Sequence, residues 1–198
     1  MPLLAAIANN WQKALPPLVV VGLVAWVAAF RQAPASERAL FAALLIIYMV
    51  HQIEEHLWPG GFRQFTNAYA FKSGDSDWPV GIGGVALVNV GFVWLPVALA
   101  VAWPHALRWV GLAWVGLTLI NALTHIGASV RFRRYNPGLV TSIVLFLPFT
   151  IWMLAHEAAA GMLSGGEIGL VLAAGVLLHV PVAALFVVPY RRGRRVPA

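Results

Sequence analysis

Cysteine is absent from the 198-residue chain, which excludes disulfides and any thiolate-held metal. A bound metal would have to rest on His, Asp or Glu. Charge is scarce as well: 10% of residues are Asp, Glu, Lys or Arg, against 61% that are hydrophobic. A soluble domain wets its surface with about 25% charged residues. This chain cannot, so its surplus apolar surface has to face lipid. Also missing is a secretory signal, because MPLLAAIANNWQKALPP has neither a basic start nor a short apolar core. That segment reads as interfacial, with Trp11 and Lys13 at headgroup level. No internal repeat or low-complexity tract stands out, and residues 1–198 read as a single transmembrane domain. The net charge of +6 sits in short basic runs beside apolar stretches. Its expected partner is therefore an anionic membrane surface and not nucleic acid.

What is there is a series of apolar stretches near the ~20 residues that a spanning helix needs. Six qualify: Pro16–Phe30, Ala39–His56, Val80–Trp103, Leu107–Val130, Leu139–His156 and Ile168–Val188. The expected fold is all-α, an integral membrane bundle of about six transmembrane helices. Ser36 and Glu37 offer an N-cap pair to the second span, and Trp58-Pro59-Gly60-Gly61 ends it. Gly81, Gly83, Gly84, Gly91, Gly165 and Gly169 would let helices pack closely. Residues 58–78 mix Phe62, Phe65, Tyr69 and Phe71 with Arg63, Lys72, Asp75 and Asp77. They read either as an amphipathic lid at the interface or as a tethered loop. With an even number of spans both termini share a side. That side carries Lys13, Arg63, Lys72, Arg131, Arg133, Arg134, Arg191, Arg192, Arg194 and Arg195, against Arg31, Arg38 and Arg108 opposite. The bias places both termini in the cytoplasm of a bacterial inner membrane.

The chemistry concentrates in YMVHQIEEHLWPGG. His51, Glu54, Glu55 and His56 end an otherwise apolar span, where an ionised carboxylate costs about 3 kcal/mol on insertion scales. Such groups must be paired, protonated, metal-bound or wet. On a helix His51 shares a face with Glu54 and Glu55, the spacing of metal centres in helical bundles. A simple wet helix end is the competing reading. With the orientation set by Arg and Lys alone, Asn121 and His125 of the fourth span and His179 of the sixth fall in the same membrane half. Asn89 falls roughly mid-depth in the third span, and Asn136 and Thr141 at the cytoplasmic start of the fifth. Agreement in depth favours a site over scattered core polar groups. His105, His156, Glu157 and Glu167 fall at the opposite interface and read as solvated. Trp58, Trp78, Trp103 and Tyr190 fit an aromatic belt.

His51-Gln52-Ile53-Glu54-Glu55 resembles the signature of the HXXEE family of small multi-spanning bacterial membrane proteins. The Asn121/His125 pair and His179 look like its further polar positions. The resemblance implies a site without naming a reaction. From the residues, the first expectation is a membrane metalloenzyme acting on a lipid or other hydrophobic small molecule. Zinc or iron would be its divalent metal, held by His51, Glu54, Glu55, His125 and His179, with Glu54, Glu55 and Asn121 as catalytic groups. The second is a metal-free acid–base isomerase or cyclase using Glu54 and Glu55, with one carboxyl kept protonated by the other. The third is a proton- or metal-coupled carrier, disfavoured by the lack of paired repeats. Whether the bundle works singly or as a homo-oligomer is open.

Overall fold

A computed structural model describes Ala6 and residues 8–193; Arg194 and Arg195 of the charge bias lie outside them. The described residues are all-helical and contain no strand. In chain order they form α1 (Ala8–Phe30), α2 (Glu37–His56), the short α3 (62–71), α4 (Ile82–Ala102), α5 (Arg108–Phe132), α6 (Leu139–Ala159) and α7 (Gly165–Arg191). α1, α4, α5, α6 and α7 are long and apolar enough to cross a membrane. α2 has twenty residues, about 30 Å at 1.5 Å per residue. Its polar last turns make it the least lipid-compatible of the long helices, and the bundle answers by placing it inside.

α2 packs against α1, α4, α5 and α6. Its Leu40, Phe41 and Leu44 share one core with Val97 and Ala100 of α4, Leu112 and Val115 of α5 and Met153 of α6. The outer helices behave oppositely. Val20, Val21 and Val24 of α1 are 61%, 64% and 66% exposed, a surface compatible with hydrocarbon and not with water. The chain is therefore an integral membrane bundle.

α1 begins about two turns before the expected span, through a tight 3-10 turn at Trp11–Ala14 that feeds Pro16 and Pro17 into the first helical turn. This corrects the reading of Trp11 as a headgroup anchor. Its indole is 7% exposed and packs edge-on against His56 and Trp94 at 5.1 and 5.6 Å. Two spans widen into π-helix, at Leu87–Trp94 in α4 and Ser142–Phe146 in α6. Leu-Pro follows each one. The Leu95 and Leu147 amides bond five residues back, to Val90 and Ser142. The wide turn accommodates a proline that has no N–H and would crowd the preceding turn.

The tightest packing comes from glycines other than those singled out by spacing. Gly116 of α5 lies against the Val171 backbone of α7, Gly175 of α7 against the Gly116 backbone, and Gly111 against the Phe41 ring. Of the expected set, Gly84 abuts Phe186, while Gly83, Gly165 and Gly169 face open space. Far from the polar end of α2, Arg108 donates from Nε to Glu37 at 2.7 Å and from Nη2 to Glu157. Glu157 is 3% exposed, so it is a buried ion-pair partner and not a solvated rim residue. Ser36 holds the N-cap position of α2, but its hydroxyl turns back to the Ala33 carbonyl.

Candidate metal centre

The last two turns of α2 aim four polar side chains inward, and three other helices meet them. His51 and Gln52 are fully buried, Glu54 and Glu55 nearly so. Although Glu54 and Glu55 are neighbours, they serve different ends. Glu54 reaches the start of α6, where Gly138 occupies the N-cap position and has no side chain to cap the first amides. The Glu54 carboxylate does so from another helix. It accepts from the Val140 amide at 3.0 Å, the Thr141 amide at 2.7 Å, the Tyr135 hydroxyl at 2.6 Å and the Thr141 hydroxyl. Free amides at a helix start favour a negative charge. In the loop before α6, Tyr135 has its pKa raised, first by partial burial and then by the Glu54 carboxylate, so it remains a donor.

Thr141 passes this order on to His51. Its one proton goes to Glu54, so the His51 contact at 2.8 Å must be Nδ1–H donating to Thr141 Oγ1. In the neutral ring the other nitrogen of His51, Nε2, is then left with a bare lone pair. It is buried with no hydrogen-bond partner, and 3.6 Å away lies Glu55 Oε1, an acceptor. His125 Nε2 of α5 stands 3.3 Å from the same oxygen. One ligand atom each from His51, Glu55 and His125 falls within 4.8 Å of the others. The His51 Nε2 lone pair and the Glu55 carboxylate face each other in a buried space and repel unless a cation or shared proton joins them, and His125 Nδ1 is likewise buried without a partner. Gly138, at φ +98°, packs its backbone between the rings: a Cβ there would come within 2.6 Å of His125 Cε1 and 2.7 Å of His51 Cε1. Only glycine leaves both imidazoles in place.

A second chain of hydrogen bonds runs on the other side of Glu55. The Trp94 indole can only donate, and it gives to Gln52 Oε1 at 2.7 Å. Gln52 Nε2 then donates to Asn89 Oδ1 at 2.6 Å, and Asn89 Nδ2 donates to Val85 O and to His56 Nε2 at 3.0 and 3.3 Å. One indole thus orients two amides and makes His56 Nε2 an acceptor. That nitrogen lies 3.4 Å from Glu55 Oε2. Glu55 is consequently ringed by three imidazoles.

The remaining expected residues lie around a cavity beside this group. His179 of α7 donates Nδ1–H to its own Gly175 carbonyl at 2.7 Å and lines the cavity, outside the three-residue group. Asn121 of α5 donates to the Tyr48 hydroxyl at 3.4 Å and also lines it. So does Glu55, within a chamber of 410 Å³ whose other walls are mostly apolar, among them Val85, Phe92, Leu117 and Phe186. A smaller vestibule of 250 Å³ also reaches Glu55, past Trp11, Gln12, His56 and Arg63. Phe62 of α3 borders both, with its ring 5.8 Å from that of His125. Residues 58–78 therefore bring α3 to the mouth of the site. Gln52, Tyr48, Trp94, Thr141 and Gly138 were not among the expected site residues. The uncapped Gly138 start of α6 is the one sequence signal that an acceptor must arrive from elsewhere.

Comparison with known proteins follows the same residues. The pattern of the family described as "protein of unknown function with HXXEE motif" matches residues 42–153. The chain is also similar to the "uncharacterized protein YrkK" of Bacillus subtilis (strain 168), 21% identical over 143 residues that cover 69% of this chain and 87% of that one. No solved structure matches significantly.

Proposed function

The chain belongs to the HXXEE family, and we propose that it is an integral membrane enzyme acting on a hydrophobic substrate at a divalent cation held by His51, Glu55 and His125. The observation that carries this reading is the unpartnered His51 Nε2, buried opposite Glu55 and His125 with all three ligand atoms within 4.8 Å. Two nitrogens and a carboxylate suit zinc or iron and leave further positions open. A cation there would supply Lewis acidity and an acidified water. Glu54 and Thr141 fix the His51 tautomer, the outer-shell arrangement that raises ligand basicity. The chamber beside Glu55 gives a substrate its apolar surroundings. Positive-side bias supports the cytoplasmic face of a bacterial inner membrane for this end of the bundle, with lipid as its surroundings and source.

A metal-free acid–base reading draws on the three imidazoles around Glu55, which could share a proton with it. It loses the coupling between adjacent carboxylates, because Glu54 is engaged by four donors. Metal analysis of the purified protein separates the two. About one zinc or iron per chain is expected, lost in His51→Ala and in His125→Ala while helical content is unchanged. A wild-type protein that retains no metal, and gains no thermal stability from added zinc or iron, would overturn the metal reading in favour of proton chemistry.

A further inference from the structure

The chamber's walls carry information about what enters it. It is bordered by α3, α4, α5, α7 and the C-terminal half of α2, and among the described residues no Lys or Arg lines it and Glu55 is its only carboxylate. A phosphate or carboxylate headgroup placed here would find no charge partner on the wall and would meet a fixed acidic group. The vestibule does have Arg63, but that guanidinium is taken by Asp77 at 2.8 Å.

Among the described residues the wall offers a buried phenol hydroxyl with no acceptor. Tyr48 is 5% exposed and sits among Phe146, His51 and Asn121. The Asn121 amide donates to the Tyr48 oxygen, which turns the phenol's own proton elsewhere, and no protein acceptor is bonded to it. A buried donor left unmade costs about 1–3 kcal/mol. A ligand oxygen in the chamber would remove that cost. Farther along the same wall, the Nδ1–H of His179 is spent on Gly175, so its Nε2 is an acceptor.

We propose that the chamber selects an uncharged amphiphile, an apolar body bearing a hydroxyl or carbonyl oxygen, and that Tyr48 holds this oxygen beside Glu55, with Asn121 positioning Tyr48. With no cation at Glu55, anionic lipids and phosphorylated chains are excluded by the same walls. The inference rests on the proposed enzyme site, whose substrate class it names. It does not require the cation.

The test uses full-length protein in nanodiscs, stripped with a chelator so that no ion can hold a phosphate. Dodecanol, dodecane and dodecyl phosphate compete, at equal mole fraction in the bilayer, against a photoactivatable dodecyl alcohol. Dodecanol is expected to compete best, by about tenfold over each of the others, the scale of one buried hydrogen bond. Tyr48→Phe, which deletes only the hydroxyl, is expected to bring dodecanol down to the level of dodecane while dodecane itself is unmoved. A merely structural role for Tyr48 would shift both. Phosphate binding as tightly as the alcohol, or an alcohol preference that survives Tyr48→Phe, would overturn the proposal. The result also separates it from the metal reading. Alcohol preference in a protein that retains no zinc or iron leaves the chamber assignment standing and removes the metal. Metal retention with no competition by any probe does the reverse.

Discussion

Thr141 decides how His51 meets its partners, and it does so with a single proton. Bonded to Glu54 on one side, its hydroxyl can only accept from His51 Nδ1, so Nε2 faces Glu55 and His125 as a lone pair. Thr141→Val keeps the shape of the side chain and removes the link. Outer-shell changes of this kind cost about 10- to 100-fold in metal affinity. A weakening of zinc binding in that range is expected by competition against a chelating dye, with Thr141→Ser close to wild type. Equal affinity in the Val variant would detach Glu54 from the site. At this scale the sequence was partly legible. The i,i+4 spacing of His51 and Glu55 and the intramembrane position of His125 could be read from one strand of text. The division of labour between Glu54 and Glu55 could not, because i+3 and i+4 share a helix face and the deciding contact comes from α6, 86 residues on. Tyr48 stayed hidden for a plainer reason: a tyrosine in an apolar span reads as packing until its neighbour Asn121 is seen turning its proton.

Helix boundaries were legible where local chemistry sets them, as at Trp58-Pro59-Gly60-Gly61 after α2, and less so where tertiary contacts do. α1 starts early because Trp11 is buried against His56 and Trp94, a contact no window of hydropathy contains. Residues 58–78 were readable as amphipathic but not as pinned. The pin is Asn67, fully buried in the second half of α3. It accepts from the Val80 amide at 2.9 Å and donates to the Ser76 and Val80 carbonyls at 2.8 and 3.1 Å. These bonds tie α3, and with it Phe62 over the site, to the start of α4. Asn67→Ala leaves three backbone groups without this partner, at about 1–3 kcal/mol for a buried group left unsatisfied. The expected outcome is faster hydrogen exchange across 62–71 than in wild type, with exchange in α5 and α7 unchanged. Uniform acceleration would mean that α3 is part of the bundle's global stability and not a separately held cover.

On the scale of the whole molecule, the fold is a polar helix wrapped by apolar ones. Composition made that architecture legible, whereas the arrangement around α2 and the Arg108 clamp at the far end needed side chains from distant segments. The two ends differ in charge. Contacts of Arg134 with Tyr69, of Phe65 with Phe132 and of Tyr190 with Phe71 gather Lys72, Arg133 and the helix ends bearing Arg131 and Arg191 at the site's end. At the other end Arg108 is neutralised by Glu37 and Glu157, and His105 is 98% exposed. The positive-side bias then predicts which end faces the cytoplasm, and the chain's lack of cysteine makes the test direct, since any introduced thiol is the only one. Lys72→Cys sits on an exposed loop residue at the site's end, and His105→Cys marks the opposite end. In intact spheroplasts a membrane-impermeant maleimide is expected to label His105→Cys, and to label Lys72→Cys only after permeabilisation. The reverse pattern would put the vestibule and its Arg63 outside the cell. A substrate drawn from the inner leaflet would then be ruled out, because the site's end of the bundle would lie in the outer one.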